Sequence, residues 1–214
     1  MSMTLQILNL QQRYDDFEIL NIDSWEIGYG IFWIQGENGA GKSTLFRTIA
    51  GMLPYTGSLT LDGKFDLKKH PVDFRLRLNL GEAEPLYPSF LTPADLLEFV
   101  AEAKQSPAGQ TAMLVDALGI NYLQTPFGNC SSGMVKKLSL ALAFLGNPSV
   151  IILDEPLITI DREARLALFK LIKSYHADGV TFLLSSHETF QQDGLDISAT
   201  YLLKNKTLMQ VSEQ

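Results

Sequence analysis

The stretch IFWIQGENGAGKST, Ile31–Thr44, decides the fold. It opens on a short apolar run, the composition of a strand buried on both faces of a parallel sheet. It then turns through Gly36, Asn38, Gly39, Ala40 and Gly41 into Lys42, Ser43 and Thr44. Gly36, Gly41, Lys42 and Ser43 satisfy the pattern G-x-x-x-x-G-K-[ST], set between a strand and a helix as that pattern requires. A random chain of this length meets it about once in a hundred, and the correct flanks lower that further. The chemistry explains the residue types. Successive backbone N–H groups must curl around phosphate oxygens, which glycine permits, and a helix N-terminus adds partial positive charge. Lys42 is expected to bridge the β- and γ-phosphates of a nucleoside triphosphate and Ser43 to ligate Mg²⁺. By analogy Thr44 bonds the α-phosphate. The loop alone does not choose among kinases, GTPases, helicases and transport ATPases.

A second stretch, NCSSGMVKKLSLALAFLGNPSVIILDEP (Asn129–Pro156), narrows the choice. A small polar loop opens an apolar helix, Gly146-Asn147-Pro148 stops it, and an apolar strand then ends in Asp154-Glu155. A carboxylate at the end of a buried strand holds Mg²⁺, usually through water, so Asp154 is the expected magnesium-side acid. Glu155 is the candidate general base for the attacking water. Downstream, LLSSHE ends another apolar strand at His187. Ligands gather at the carboxyl ends of strands in open α/β sheets, which puts His187 within reach of a γ-phosphate. Glu155, His187 and Lys42 are thus the expected catalytic groups.

The bulk composition is ordinary for a globular chain of 214 residues, 46% hydrophobic and 19% charged. A net charge of −7 without a basic run makes it a poor binder of nucleic acid phosphates. One cysteine excludes an internal disulfide and cysteine-based zinc spacing. No signal-peptide pattern opens the chain, and no apolar run approaches the roughly 18 residues of a membrane helix. The expected location is cytosolic, against a membrane protein.

Along the chain, Leu5–Leu10, Phe17–Ile22, Ile31–Gln35, Leu76–Leu80, Val150–Asp154 and Val180–Ser185 read as strands. YLLKNKTLMQV reads as a hairpin turning at Lys204-Asn205. Helices are expected from Lys42 to Met52, from Pro93 with Thr92 as N-cap, and from Pro107 with Ser106 as N-cap, the last ended by Gly119. Two more are expected behind Ser131 or Ser132 and over Asp161 to Tyr175. The order implies an α/β core interrupted by a mainly helical insertion.

Taken together, these residues resemble the ATP-binding cassette (ABC) ATPases over nearly the whole chain. The resemblance implies a P-loop NTPase core of mixed sheet flanked by helices, an N-terminal antiparallel β subdomain and an inserted helical subdomain. It implies one domain, 1–214, with a nucleotide-binding core at 1–82 and 146–214 and a signature-bearing helical subdomain at 83–145. ATP and Mg²⁺ are the implied cofactors. The loop at Ser131, Ser132 and Gly133 resembles the family signature L-S-G-G-Q. In that family it covers the γ-phosphate held by the phosphate loop of a partner in a head-to-tail dimer. Cys130, Ser132 and Met134 depart from the pattern. Tyr14 takes the place of the aromatic that stacks on adenine. Glu82 aligns with the glutamine that contacts Mg²⁺ and water, and Asp161 with the loop that crosses between protomers. The implied function is an ATP-hydrolysing subunit, homodimeric or paired with a related ATPase, on the cytoplasmic face of the cell membrane. It would power a separate transmembrane permease, with bacterial exporters the nearest branch. Glu82 to Phe90 is the expected docking region, with Tyr87 and Phe90 as anchors. A soluble cassette ATPase of cofactor assembly and a regulatory ATP binder with weak hydrolysis are the alternatives.

Overall fold

The computed structural model describes residues 4–186 and 194–211. The chain opens with β1 (Leu5–Tyr14) and β2 (Phe17–Ile27), an antiparallel pair. Next come β3 (Ile31–Gln35) and α1 (Lys42–Ile49), on either side of the glycine-rich turn. β4 (Thr56–Leu61) and β5 (Phe65–Asp66) complete a four-stranded antiparallel sheet ordered β2-β1-β4-β5. The short helix α2 (Pro71–Arg77) then runs without a loop into β6 (Leu78–Gly81). A helical stretch follows: α3 (Pro93–Ala103), α4 (Gln110–Ala117), a 3-10 turn at Phe127–Asn129 and α5 (Ser132–Ala143). β7 (Val150–Leu153), α6 (Arg162–Ala177), β8 (Thr181–Ser185) and the hairpin β9 (Ala199–Lys204) and β10 (Thr207–Val211) close the fold. The central sheet has six strands in the order β10-β9-β3-β8-β7-β6. All its pairings are parallel except β9 with β10.

Every residue of β7 and β8 is buried, and the period of two sends them to opposite sides. Ile151, Leu153, Phe182 and Leu184 join the core under α5 and α6. Val150, Ile152 and Leu183 join the core between the two sheets, with Phe46 and Ile49 of α1. A strand buried on both faces must be apolar at every position, which is why these runs read so clearly.

Three local expectations are corrected. Leu76 and Arg77 are helical, because Pro71 at the first helical position starts α2 and Phe74 is the residue it buries. Ser106 does not cap α4, which starts at Gln110 after a left-handed Gly109. The Gln110 amide fixes that start: its Nε2 donates to Phe144 O and Gly146 O, and its Oε1 accepts from Gly146 N. The C-terminal hairpin turns at Asn205-Lys206, one residue later than expected. Lys204 pairs with Thr207, and both turn residues have φ > 0, the type I′ requirement.

Asn79, buried in β6, donates through Nδ2 to Ala143 O at 2.9 Å and Leu145 O at 2.8 Å. It thereby satisfies carbonyls at the C-terminal end of α5 that lack helical partners. Asn79→Ala is expected to lower stability by about 2 kcal/mol, since buried acceptors are left unpaired. Chemical denaturation monitored by circular dichroism checks this. Lys104, just past α3, ties the helical stretch to the core by donating to Arg75 O and, at 3.1 Å, to Leu78 O. Burial, with the Arg75 charge beside it, pushes this ammonium down to about 8.

Candidate functional site

The glycine-rich turn joins the end of β3 to the start of α1. A side chain at Gly36 would place Cβ 2.8 Å from Leu203 O in β9, so only glycine fits there. Gly39 and Gly41 have φ of 80° and 102°, which let the chain curl before the helix begins. Ala40 N donates to Glu37 O within the curl. Lys42 is nearly buried and folds back, Nζ donating to Gly36 O at 2.7 Å and Glu37 O at 3.3 Å. The ammonium thus lies over the cradle in which phosphate oxygens would compete for it.

A cleft of about 560 Å³ gathers Asn38, Gly39, Gly41, Lys42, Ser43 and Thr44 with Asp154 and Glu155. Gly36 and Ala40 shape the turn behind it. The carboxylates come from the end of β7. Asp154 is 3% exposed; its N–H donates to Gly81 O and its Oδ1 accepts from Ser185 Oγ at 2.6 Å. The same Ser185 oxygen accepts the Glu155 N–H at 2.9 Å. Ser185 therefore orients both acids. Sequence reasoning missed it, although a serine ending the strand beside β7 was the available signal. Glu155 has φ 44°, an uncommon left-handed conformation for a residue with a side chain. It turns the chain out of the strand and sets the second carboxylate on the cleft.

The remaining expected residues are placed elsewhere or not described. Tyr14 is 46% exposed at the end of β1, outside the lining of the cleft. Glu82 does not reach the cleft as expected. Its Oε1 accepts from Arg47 Nε at 2.7 Å, and Ala83 and Glu84 line the cleft in its place. His187 lies outside the described residues. Ser131, Ser132 and Gly133 are also apart from this chain's own cleft.

That loop is well built. Ser131 caps α5, its Oγ accepting from Met134 N at 3.2 Å, while Met134 Sδ accepts from Ser131 N at 3.4 Å. A thioether thus supplies the reciprocal half of a capping box, so the methionine in place of an amide leaves the helix start intact. A Cβ at Gly133 would lie 2.7 Å from Thr159 O, and Lys137 Nζ pairs with Asp161 Oδ2 at 2.5 Å. The start of α5 is therefore tied to the segment after Glu155. Asp161 also caps α6, accepting from Ala164 N. Cys130 precedes the cap with its thiol against Thr125 O and Pro126 O, and burial raises its pKa. Lys136, also unforeseen from sequence, is 1% exposed and donates to Glu82 O, Ala83 O and Asp154 O at 2.7, 3.2 and 2.9 Å. Burial pushes its ammonium down to about 8 against the opposing pull of Asp154, Glu155, Glu82 and Glu84.

The donor set fits Mg²⁺. The Ser43 hydroxyl and the Asp154 carboxylate are hard oxygen ligands lining one cleft. Among the described residues no group of three or more His, Cys, Asp or Glu forms a metal cage.

Comparison with known proteins agrees with this geometry. The family described as ABC transporter matches residues 20–158. The lantibiotic transport ATP-binding protein SrtF of Streptococcus pyogenes is 28% identical over 209 residues, covering 96% of this chain and 90% of that protein. A Nod factor export ATP-binding protein I of Burkholderia thailandensis is 32% identical over 190 residues, covering 83% of this chain and 60% of its own length. The sulfate/thiosulfate import protein CysA of Mycobacterium tuberculosis is 30% identical over 208 residues, covering 92% of this chain and 58% of its own length. Among solved structures, an ATP-binding subunit of an ABC transporter superposes with a TM-score of 0.86 at 24% identity, covering 98% of this chain and 90% of that one. A dimeric ATP-binding cassette bound to ADP and Pi gives a TM-score of 0.81 at 17% identity, covering 98% and 100%; both share the fold. With the phosphate loop and the paired acids brought together in one cleft, the chain belongs to the ABC transporter family as an ATP-binding ATPase subunit.

Proposed function

We propose that two copies of this cassette, or this chain and a related one, close head to tail around two ATP–Mg²⁺ and so drive a separate transmembrane permease. The observation that carries the reading is one cleft lined by Lys42, Ser43, Asp154 and Glu155. Lys42 grips the β- and γ-phosphates, and the N–H groups of the turn enclose them. Ser43 and Asp154 hold Mg²⁺, which when bound neutralises charge developing on the phosphates. Glu155 accepts a proton from the water that attacks the γ-phosphorus as the bond to the β-phosphate oxygen breaks. His187 is proposed as a further γ-phosphate contact and Tyr14 as the adenine platform. The serine loop of the opposing protomer closes the cleft, its N–H groups at the start of α5 facing the γ-phosphate. The segment 83–145 is proposed as the subdomain that carries this loop.

The permease is proposed to dock beside Glu82 to Phe90. Leu86 and Phe90 are 92% and 77% exposed there. Tyr87 instead packs on Phe127, with ring centroids 4.9 Å apart, so Phe90 is the better anchor of the two. No helix among the described residues is long and apolar enough to cross a membrane. The work of transport therefore needs a partner that is, and the cytoplasmic face of the membrane is the proposed location. The relatives include both an exporter and an importer, so the export reading rests on the sequence resemblance. Recovery from membranes with a polytopic protein that stimulates ATP turnover is the expected result. Recovery with soluble partners alone, and no stimulation by membranes, would favour the cofactor-assembly reading.

A further inference from the structure

The segment after β6 carries two carboxylates, Glu82 and Glu84, and the fold treats them differently. Glu82 is turned to Arg47, in the last turn of α1, at 2.7 Å. Glu84 lines the nucleotide cleft with Lys42, Ser43 and Asp154. The backbone between them is held by Lys136. An ammonium has three N–H donors, and here they meet the carbonyls of Glu82, Ala83 and Asp154. A buried cation is tolerated only when so bonded, so its position is fixed. It fixes in turn the peptide planes on either side of Ala83 and their distance from the carboxylate strand. The chain bends at Ala83 and Glu84, which brings Glu84 onto the cleft, while the Glu82 carboxylate is held by Arg47 outside the lining of that cleft.

We propose that Lys136 and Arg47 are positioning residues that decide which carboxylate of residues 82–84 faces the bound nucleotide, withdrawing Glu82 and presenting Glu84. The inference rests on the reading of the cleft as an ATP–Mg²⁺ site. Glu84 is then the segment's acceptor for the ion's water shell or the attacking water. Glu82 also lines the groove formed with Met52, Val100 and Lys104, beside the proposed docking region. A partner that breaks the Arg47–Glu82 pair from that side would return the second carboxylate to the cleft.

The test separates this from a purely structural role. ATP affinity is measured without metal by displacement of a fluorescent nucleotide. Metal affinity of the ATP-loaded protein is measured with Mn²⁺ by electron paramagnetic resonance, and the Mg²⁺ requirement from turnover. Glu84→Gln is expected to weaken Mn²⁺ binding and raise the Mg²⁺ requirement about tenfold, with metal-free ATP affinity nearly unchanged. Lys136→Met should reproduce this, Lys136→Arg should restore part of it, and Lys136→Met with Glu84→Gln should be no worse than either alone. In an Arg47→Met background, Glu82→Gln should gain an effect on Mn²⁺ binding. If Lys136→Met does not fold, the Lys136→Arg and Arg47→Met arms decide. A larger metal effect from Glu82→Gln than from Glu84→Gln in the unaltered background would overturn the inference, as would full additivity of Lys136→Met with Glu84→Gln. Failure of the unaltered protein to bind ATP would instead overturn the reading of the cleft itself.

Discussion

Glu155→Gln is expected to lower steady-state ATP turnover by about 10²–10⁴-fold while ATP still binds. The substitution keeps the size of the side chain and its N–H bond to Ser185, a backbone contact. It removes only the ability to take a proton from water. Lys42, Ser43 and Asp154 are untouched, so the triphosphate is held but not cleaved. Paired cassettes should therefore accumulate in the presence of ATP and Mg²⁺. Phosphate release measures the first effect, and size-exclusion chromatography with light scattering measures the second. A variant that turned over normally would remove Glu155 from the chemistry. One that was inactive but never paired would leave the base in place and count against the head-to-tail arrangement.

Gly133→Ala is expected to cost about 10²-fold in turnover, the size of effect that a displacement near 1 Å has on an aligned site. The new Cβ would approach Thr159 O, a backbone atom, to 2.7 Å, so the first turn of α5 or the segment after Glu155 must shift. Thr159 already has φ 66°, a strained conformation for a β-branched residue. That segment has little freedom to give. Nucleotide binding by the single chain should survive, because Gly133 is not part of its own cleft. Titration with a fluorescent nucleotide and a turnover assay on the same preparation separate the two. Equal loss of both would mean that the loop serves its own molecule.

The phosphate loop and the Asp154-Glu155 pair were legible because each is a contiguous motif whose flanks are fully buried strands. Apolar runs such as Val150–Leu153 have no other stable environment in a chain of this composition. β4 was not read: TGSLTL alternates small, polar and apolar residues and gains its place by pairing with β1 and β5. The start of α4 was misread because Gln110 answers to the end of α5 and not to its own neighbours. The same cause hid the finer parts of the site. Ser185, Lys136 and Arg47 act on partners 30, 18 and 35 residues away in sequence, respectively. Glu82 was assigned by alignment of the segment, but where its carboxylate points is set by a residue of another helix. Local chemistry announces the groups that touch a nucleotide; the groups that aim them are visible only after folding.

Cys130 has a practical consequence. It is the chain's one cysteine, it is only partly covered, and it immediately precedes the serine cap of α5. A maleimide fluorophore or nitroxide attached there would report on the proposed mating surface without any engineered thiol or background labelling. Because burial disfavours the thiolate, conjugation should be slow at neutral pH and quicken in mild alkali, and closure of the pair around nucleotide should slow it again.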